Sequence, residues 1–136
     1  MLDQDHVKAA AAISFEYFAP TRAQDVQFQN WWARMLRLAS SPGGIKAILE
    51  VGRQIDVRHI RPSIRVPTLV LHRAGDRVTR VQGGKYLAQH IPGAAYVELI
   101  AADHWWWVGN PDSLLAEVAT FLRYPLASNS RPVYTA

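Results

Sequence analysis

The sequence predicts an α/β chain in which a helical segment is followed by two parallel strands and their helices. Three observations support this fold class. Residues 1–60 repeat their apolar side chains at helical intervals, two short apolar runs lie near residues 66–72 and 95–99, and a helical stretch separates these runs. A strand, a helix and a second strand form a β-α-β unit, in which the two strands are parallel.

The same patterns divide the chain into three portions. The first is a helical segment over residues 1–60, the second is a β-α-β-α portion over residues 61–123, and the third is a loose tail over residues 124–136. The middle portion is expected to end with a helix that opens at residues 110–112, which read Asn-Pro-Asp. The predicted inner face of that helix consists of Leu114, Leu115, Val118, Phe121 and Leu122.

Three helices are predicted in the helical segment. The first covers residues 7–18 and ends before Pro20, and either Thr21 or Asp25 is expected to cap the second. Ser41 is expected to cap the third, with a proline in its first turn. The second helix carries an apolar face that needs a covering partner, made of Val26, Phe28, Trp31, Trp32, Met35, Leu36 and Leu38. The third helix is expected to bury Ile45, Ile48, Leu49 and Val51.

Composition narrows the class of protein. A chain of 136 residues with 49% hydrophobic and 19% charged residues has the size and balance of one globular domain with a packed core. The absence of cysteine excludes disulfides, thiolate zinc sites and cysteine nucleophiles, and it fits a reducing compartment. Acidic residues interrupt the N-terminal apolar stretch, and no run approaches the roughly 20 apolar residues that span a bilayer. We therefore expect a soluble, cytoplasmic protein without a membrane partner.

Arginine accounts for most of the basic character of the chain. The formal net charge is +4, and arginines are concentrated at Arg53, Arg58, Arg61, Arg65, Arg73, Arg77 and Arg80. Such a concentration makes nucleic acid a partner to consider. These arginines are nevertheless divided between a helix end, a loop and the flanks of a strand, and no aromatic stacking platform accompanies them. The pattern favours a solvated surface over a nucleic-acid interface.

Two residues occupy the positions where chemistry is expected. Asp76 follows the first predicted strand, and His104 follows the second. Ligands and catalytic groups of open α/β sheets lie beyond the carboxyl ends of the strands, so the two side chains are expected to be neighbours. A carboxylate in that place can orient an imidazole, fix its tautomer and stabilise its cation. Asp76 as an ordinary turn residue and Asp103 as the partner of His104 remain alternatives.

The run VPTLVLHRAGDRV at residues 66–78, the run IPGAAYVEL at residues 91–99 and the pair Asp103-His104 together resemble the last two strands of α/β-hydrolases of the serine esterase and lipase type. More loosely, they resemble the branch of that family that is joined to nucleotide cyclase domains. The resemblance covers about residues 45–123, and earlier residues share only the general character of a helical cap. It implies a partial α/β-hydrolase fold, Asp76 as the triad acid, His104 as the general base, and carboxylic esters or related acyl compounds as substrates.

One part of the family pattern is missing. In these enzymes a serine in a G-x-S-x-G elbow precedes both the acid and the histidine. The chain contains no such motif, and Ser14, Ser40, Ser41 and Ser63 have other flanking residues. Without a nucleophile, the chain alone is expected to be close to inactive on esters.

The histidine is followed by three tryptophans, which suggests an apolar pocket. Trp105 and Trp106 are expected to line a pocket for an acyl or alcohol group, with Trp31 and Trp32 above it. The alternative for each of these tryptophans is packing in the core. The remaining histidines show no zinc-like spacing, so neither a metal nor another cofactor is expected; they are His6, His59, His72 and His90.

Two strands are too few for a stable doubly wound sheet, and an unpaired apolar strand invites association. We therefore expect either a homo-oligomer or a missing N-terminal half that supplies the other strands. The leading functional hypothesis is the acid- and base-bearing portion of a serine hydrolase. The alternative is a non-catalytic fragment that associates with itself or acts as an interaction module.

Overall fold

The computed structural model describes residues 14–39, 41–124 and 134–135. Residues 14–18 are helical, and a short 3-10 turn covers Pro20–Arg22. The remaining elements, in chain order, are α1 (Val26–Ala39), α2 (Pro42–Gln54), a 3-10 helix (Arg58–Ser63), β1 (Leu69–Arg73), α3 (Val81–His90), β2 (Ala95–Leu99), α4 (Asp112–Arg123) and β3 (Tyr134–Thr135).

Polar side chains begin the first two of these helices as the sequence predicts. Asp25 caps α1, because its Oδ1 accepts a hydrogen bond of 2.9 Å from the backbone N–H of Phe28. Ser41 caps α2, because its Oγ accepts one of 3.1 Å from the N–H of Gly44. Thr21, the other candidate cap, lies in the 3-10 turn and has a different partner described below.

The predicted parallel pair of strands is confirmed. β1 and β2 pair in parallel from Leu69 opposite Ala95 to Arg73 opposite Leu99. β1 begins at Leu69 rather than at residue 66, which agrees with the inability of Pro67 to donate a ladder hydrogen bond. The short strand β3 pairs in parallel with the other side of β2, so the order β1-β2-β3 leaves β1 at an edge.

Helices α3 and α4 contact the sheet through different strand residues. α3 contacts His72 at Gly84, and its Lys85 forms a 2.8 Å ion pair with Glu98, the register partner of His72. Leu114 of α4 instead lines a pocket together with Leu71 and Leu99. Because neighbouring strand side chains point to opposite faces, α3 lies on the face of the sheet that carries His72 and Glu98. The structure is thus a small mixed α/β arrangement.

An aromatic core joins the N-terminal helical residues to the loop after β2. Phe15, Ala19, Trp105 and Val108 are buried there, with Phe18, Phe28 and Trp32 packed against them. The rings of Phe15 and Trp105 meet edge to face at 6.0 Å, and those of Trp32 and Trp105 lie 4.4 Å apart. Burial of aromatic side chains contributes about 2 kcal/mol each. The core therefore stabilises the loop that carries His104 as well as the helices.

The predicted burial of α2 is wrong. Ile48, Leu49 and Val51 are 69%, 64% and 58% exposed, and the side chain of Ile45 lies outside the described residues. Several members of the other predicted apolar faces are also exposed, namely Val26, Trp31, Met35, Leu38, Leu115 and Leu122. Periodicity identifies which residues share a helix face, but it does not show whether another element covers that face.

The arginine-rich stretch is also not uniformly solvated as expected. Arg61 and Arg73 are buried. The guanidinium of Arg61 lies 4.3 Å from the ring centre of Tyr86 and donates a 2.9 Å hydrogen bond to its hydroxyl. The contact of the guanidinium with the aromatic ring and its hydrogen bond to the hydroxyl offset the cost of burying Arg61.

Among the described residues, none of the helices is both long and apolar enough to cross a membrane. Of the predicted tail, residues 125–133 and 136 lie outside the described residues, and Tyr134–Thr135 form β3.

Candidate functional site

The two loops at the carboxyl ends of β1 and β2 form the candidate site. Gly75 belongs to the first loop and lies against the second, with a 2.9 Å hydrogen bond from its N–H to the carbonyl of Ala101. A Cβ at Gly75 would lie 3.1 Å from that carbonyl oxygen, so a larger residue would press the loops apart. The glycine allows the close approach that brings Asp76 to His104.

The carboxylate of Asp76 is saturated with hydrogen bonds. Oδ1 accepts from the N–H of Val78 at 2.8 Å and of Thr79 at 3.1 Å. Oδ2 accepts from Oγ1 of Thr79 at 2.8 Å and lies 2.8 Å from Nδ1 of His104. Burial raises the pKa of Asp76, but the hydrogen bonds from His104, Thr79 and Val78 outweigh burial and hold that pKa below its ordinary value. Asp76 is therefore ionised at neutral pH.

The imidazole of His104 is oriented from two sides. Because the ionised carboxylate of Asp76 can only accept, Nδ1 of His104 carries the proton of the bond between them. The backbone N–H of His104 donates to the carbonyl of Phe18 at 2.8 Å, and the Phe18 ring meets the imidazole edge to face at 5.3 Å. Nε2 makes no hydrogen bond within the described part of the chain, and the side chain is 30% exposed. In the neutral imidazole, this leaves Nε2 with an unshared electron pair that can act as a base.

A buried guanidinium organises the loop that carries His104. Arg73, the last residue of β1, is 5% exposed and donates to five backbone carbonyls of that loop. The acceptors are Asp103, Trp105, Val108, Trp106 and Asn110, at distances of 2.9–3.4 Å. Its Nε has no hydrogen-bond partner among the described residues. The loop therefore wraps around the guanidinium of Arg73, and backbone carbonyls of the loop accept all of the hydrogen bonds that this group donates among the described residues.

Asp103 connects the N-terminal segment to the same loop. It is 1% exposed, and its two carboxylate oxygens accept from the N–H of Thr21 at 3.0 Å and from Oγ1 of Thr21 at 2.7 Å. Gly109 has a φ of +76°, and a Cβ there would lie 2.6 Å from Oδ2 of Asp103. Asp103 is therefore a structural carboxylate, and the geometry favours Asp76 over Asp103 as the partner of His104.

A pocket of about 210 Å³ opens beside the two side chains. Its lining consists of Leu71, His72, Arg73, Asp76, Thr79, Leu99, His104, Trp106 and Leu114. Of the four tryptophans expected around the site, only Trp106 belongs to this lining, and it is 52% exposed.

The other three tryptophans lie elsewhere. Trp105 is 8% exposed and packs in the aromatic core. Trp32 packs on Trp105 and donates a 3.1 Å hydrogen bond to Oγ of Ser14, and Trp31 stacks on Phe28. Trp105 is buried and Trp32 packs against it, whereas Trp31 is 45% exposed, and none of the three belongs to the pocket lining.

Sequence reasoning missed three residues that build the site: Arg73, Thr79 and Thr21. Arg73 had a visible signal, because an arginine within an apolar strand run either ends the strand or is buried with partners. Thr79 had a weaker one, because a threonine three residues after an aspartate often closes a local turn. Thr21 had none, since its partner Asp103 is remote in sequence.

The described residues contain no group of three His, Cys, Asp or Glu side chains that could hold a metal ion. Comparisons with models of protein families, with curated proteins and with solved structures find no match. The geometry of Asp76, His104 and their neighbours is therefore the basis on which a function is assigned to the chain.

Replacing His104 by alanine should raise the pKa of Asp76. The substitution removes the strongest of the hydrogen bonds that lower this pKa and leaves the opposing effect of burial in place. A carbon-13 NMR titration of the Asp76 carboxyl measures the change, with His59→Ala as the control. Because the pKa is lowered on folding, Asp76 stabilises the fold above its ordinary pKa of 3.8, and this contribution is lost as the pH falls through the folded value. An unchanged titration in the His104 variant would contradict the pairing.

Replacing Arg73 by methionine should lower the free energy of unfolding by about 3 kcal/mol, because several buried carbonyls lose a charged donor. Chemical denaturation measures the loss. The matched control is Arg53→Met, at an exposed position, which should change stability by less than about 0.5 kcal/mol. Equal losses in the two variants would show that the guanidinium does not hold the loop.

Proposed function

We propose that the chain is the acid- and histidine-bearing portion of a serine hydrolase of the α/β-hydrolase type, acting on carboxylic esters or related acyl compounds. The observation that carries this proposal is the 2.8 Å contact between Oδ2 of Asp76 and Nδ1 of His104 at the carboxyl ends of two adjacent parallel strands. An ionised carboxylate on one side of an imidazole and an unpartnered nitrogen on the other are what a general base requires.

In the proposed reaction, a serine hydroxyl attacks the acyl carbon while Nε2 of His104 takes its proton. The resulting imidazolium is stabilised by the carboxylate of Asp76, which stays ionised. His104 then returns the proton to the leaving alcohol as the carbonyl re-forms, and a water molecule repeats the sequence to release the acid. The hydrogen bonds from Thr79 and Val78 keep Asp76 in place through both steps.

The serine must come from a segment other than those described. Among the described residues, no serine belongs to the pocket lining. Ser14 accepts a hydrogen bond from Trp32, and Oγ of Ser63 donates to the carbonyl of Ile60. Since the sequence has no G-x-S-x-G motif, we propose that a strand-to-helix elbow from another polypeptide segment completes the site.

The pocket favours a small apolar group on the substrate. Leu71, Leu99, Leu114 and Trp106 supply apolar walls beside His104 in a pocket of about 210 Å³. A short-chain ester is therefore the proposed test substrate.

The test is complementation. The chain is mixed with a separately expressed N-terminal portion of an α/β-hydrolase that carries a G-x-S-x-G elbow, and hydrolysis of a short-chain chromogenic ester is followed. Activity should appear only in the mixture, and His104→Ala and Asp76→Asn should each lower kcat by about three to four orders of magnitude. His59→Ala, at an exposed histidine, is the control. Activity that survives both site substitutions would overturn the proposal.

A second candidate function, self-association without catalysis, is favoured by the exposed apolar residues of α2. Ile48, Leu49 and Val51 are each more than half exposed, and the outer edge of β1 is unpaired in the described sheet. Several large apolar side chains exposed on one helix are a feature of interaction surfaces.

If the chain associates with itself through α2, its mass in sedimentation should rise with concentration. Leu49→Asp should lower that mass toward the mass of a monomer, because an unpaired carboxylate is too costly to bury at an apolar contact. Gln54→Glu, which adds a carboxylate at another exposed position of α2, is the matched control and should leave the mass unchanged. A monomeric mass for the unaltered chain would exclude this function.

A further inference from the structure

The side chain of His72 contacts the loop that carries Asp76. Its Nε2 lies 2.9 Å from the backbone carbonyl oxygen of Thr79. Because a carbonyl oxygen only accepts, Nε2 is the protonated nitrogen and donates this bond. His72 forms no hydrogen bond with Asp76 in the described structure, so any effect on that carboxylate passes through Thr79.

Thr79 is the residue that binds Asp76 most extensively. Its backbone N–H donates to Oδ1 at 3.1 Å and its hydroxyl donates to Oδ2 at 2.8 Å. The hydroxyl and Nδ1 of His104 share the same carboxylate oxygen. A displacement of Thr79 would therefore change the direction in which Asp76 presents Oδ2 to His104.

A glycine in α3 makes room for the imidazole of His72. A Cβ at Gly84 would lie 2.6 Å from Nδ1 and 3.0 Å from Cγ of His72, so the ring packs directly on the helix backbone. Glycine inside a helix costs about 1 kcal/mol relative to alanine. The neighbouring Gly83 has nothing within 4 Å of its Cβ position. Close packing of the His72 ring therefore explains why position 84 is a glycine, but it does not explain the glycine at position 83.

We propose that His72 is a positioning residue for Asp76. Through Thr79, His72 holds Asp76 in the orientation in which the carboxylate contacts His104. Gly84 provides the space in which the His72 ring packs. The role of Asp76 as a triad acid rests on the proposed hydrolase function, whereas the chain of contacts from Gly84 to His104 does not. His72 itself takes no part in proton transfer.

The test compares four variants by NMR titration of the Asp76 carboxyl in the isolated, folded chain. His72→Leu and Gly84→Ala should both raise the pKa of Asp76, because Thr79 then donates less well to the carboxylate. His72→Gln, which keeps a donor of similar reach, should restore most of the original pKa. Gly83→Ala, the matched control in the same helix, should leave it unchanged.

A merely structural role for His72 would lower the melting temperature without moving the carboxyl pKa, and that result would overturn the proposal. An equal rise in the leucine and glutamine variants would overturn it as well. If His72→Leu does not fold, the comparison of Gly84→Ala with Gly83→Ala decides the question, since only the former displaces the ring. The titration needs no nucleophile or substrate, so its failure and a failure of ester hydrolysis are distinguishable.

Discussion

The in-register parallel pairing of β1 with β2 is the constraint on which the candidate site depends. Because Arg73 is opposite Leu99, the two strands end at the same level, and the loops that follow them must touch. The hydrogen bond from Gly75 to Ala101 fixes that contact at the backbone. A shift of register by one residue would turn the side chains of one strand to the other face and separate the carboxylate from the imidazole.

The last two residues of β1 each form hydrogen bonds to one of these two loops. His72 reaches the loop of Asp76 on the side of α3, whereas Arg73 reaches the carbonyls of the loop of His104. Alternation of side chains along a strand makes this division possible. The aromatic core adds a third support, since Trp105 follows His104 directly and packs against the N-terminal helical residues. The pair is thus held by hydrogen bonds from the strand and by apolar packing from the helices.

The rest of the chain contrasts with this well-supported end of the sheet. α2 presents apolar side chains to solvent, and β1 has an unpaired outer edge in the described sheet. Both features are costly in water and both are relieved by a partner that adds strands and covers helices. The hydrolase proposal and the self-association proposal share this requirement, and they differ in whether the partner brings a nucleophile.

The sequence by itself determined both principal strands and the helix between them, the cap at Ser41 and the proximity of Asp76 to His104, and it limited the cap of α1 to Thr21 or Asp25. These follow from local periodicity, from capping chemistry and from the geometry of a β-α-β unit, all of which act over short stretches of chain. Only the tertiary structure decided that α2 is uncovered, that Trp105 packs in the core, and that Arg73 is buried. Burial depends on what the rest of the chain places against a side chain, so a local pattern offers alternatives, as it did for Arg73 and Trp105, without deciding between them.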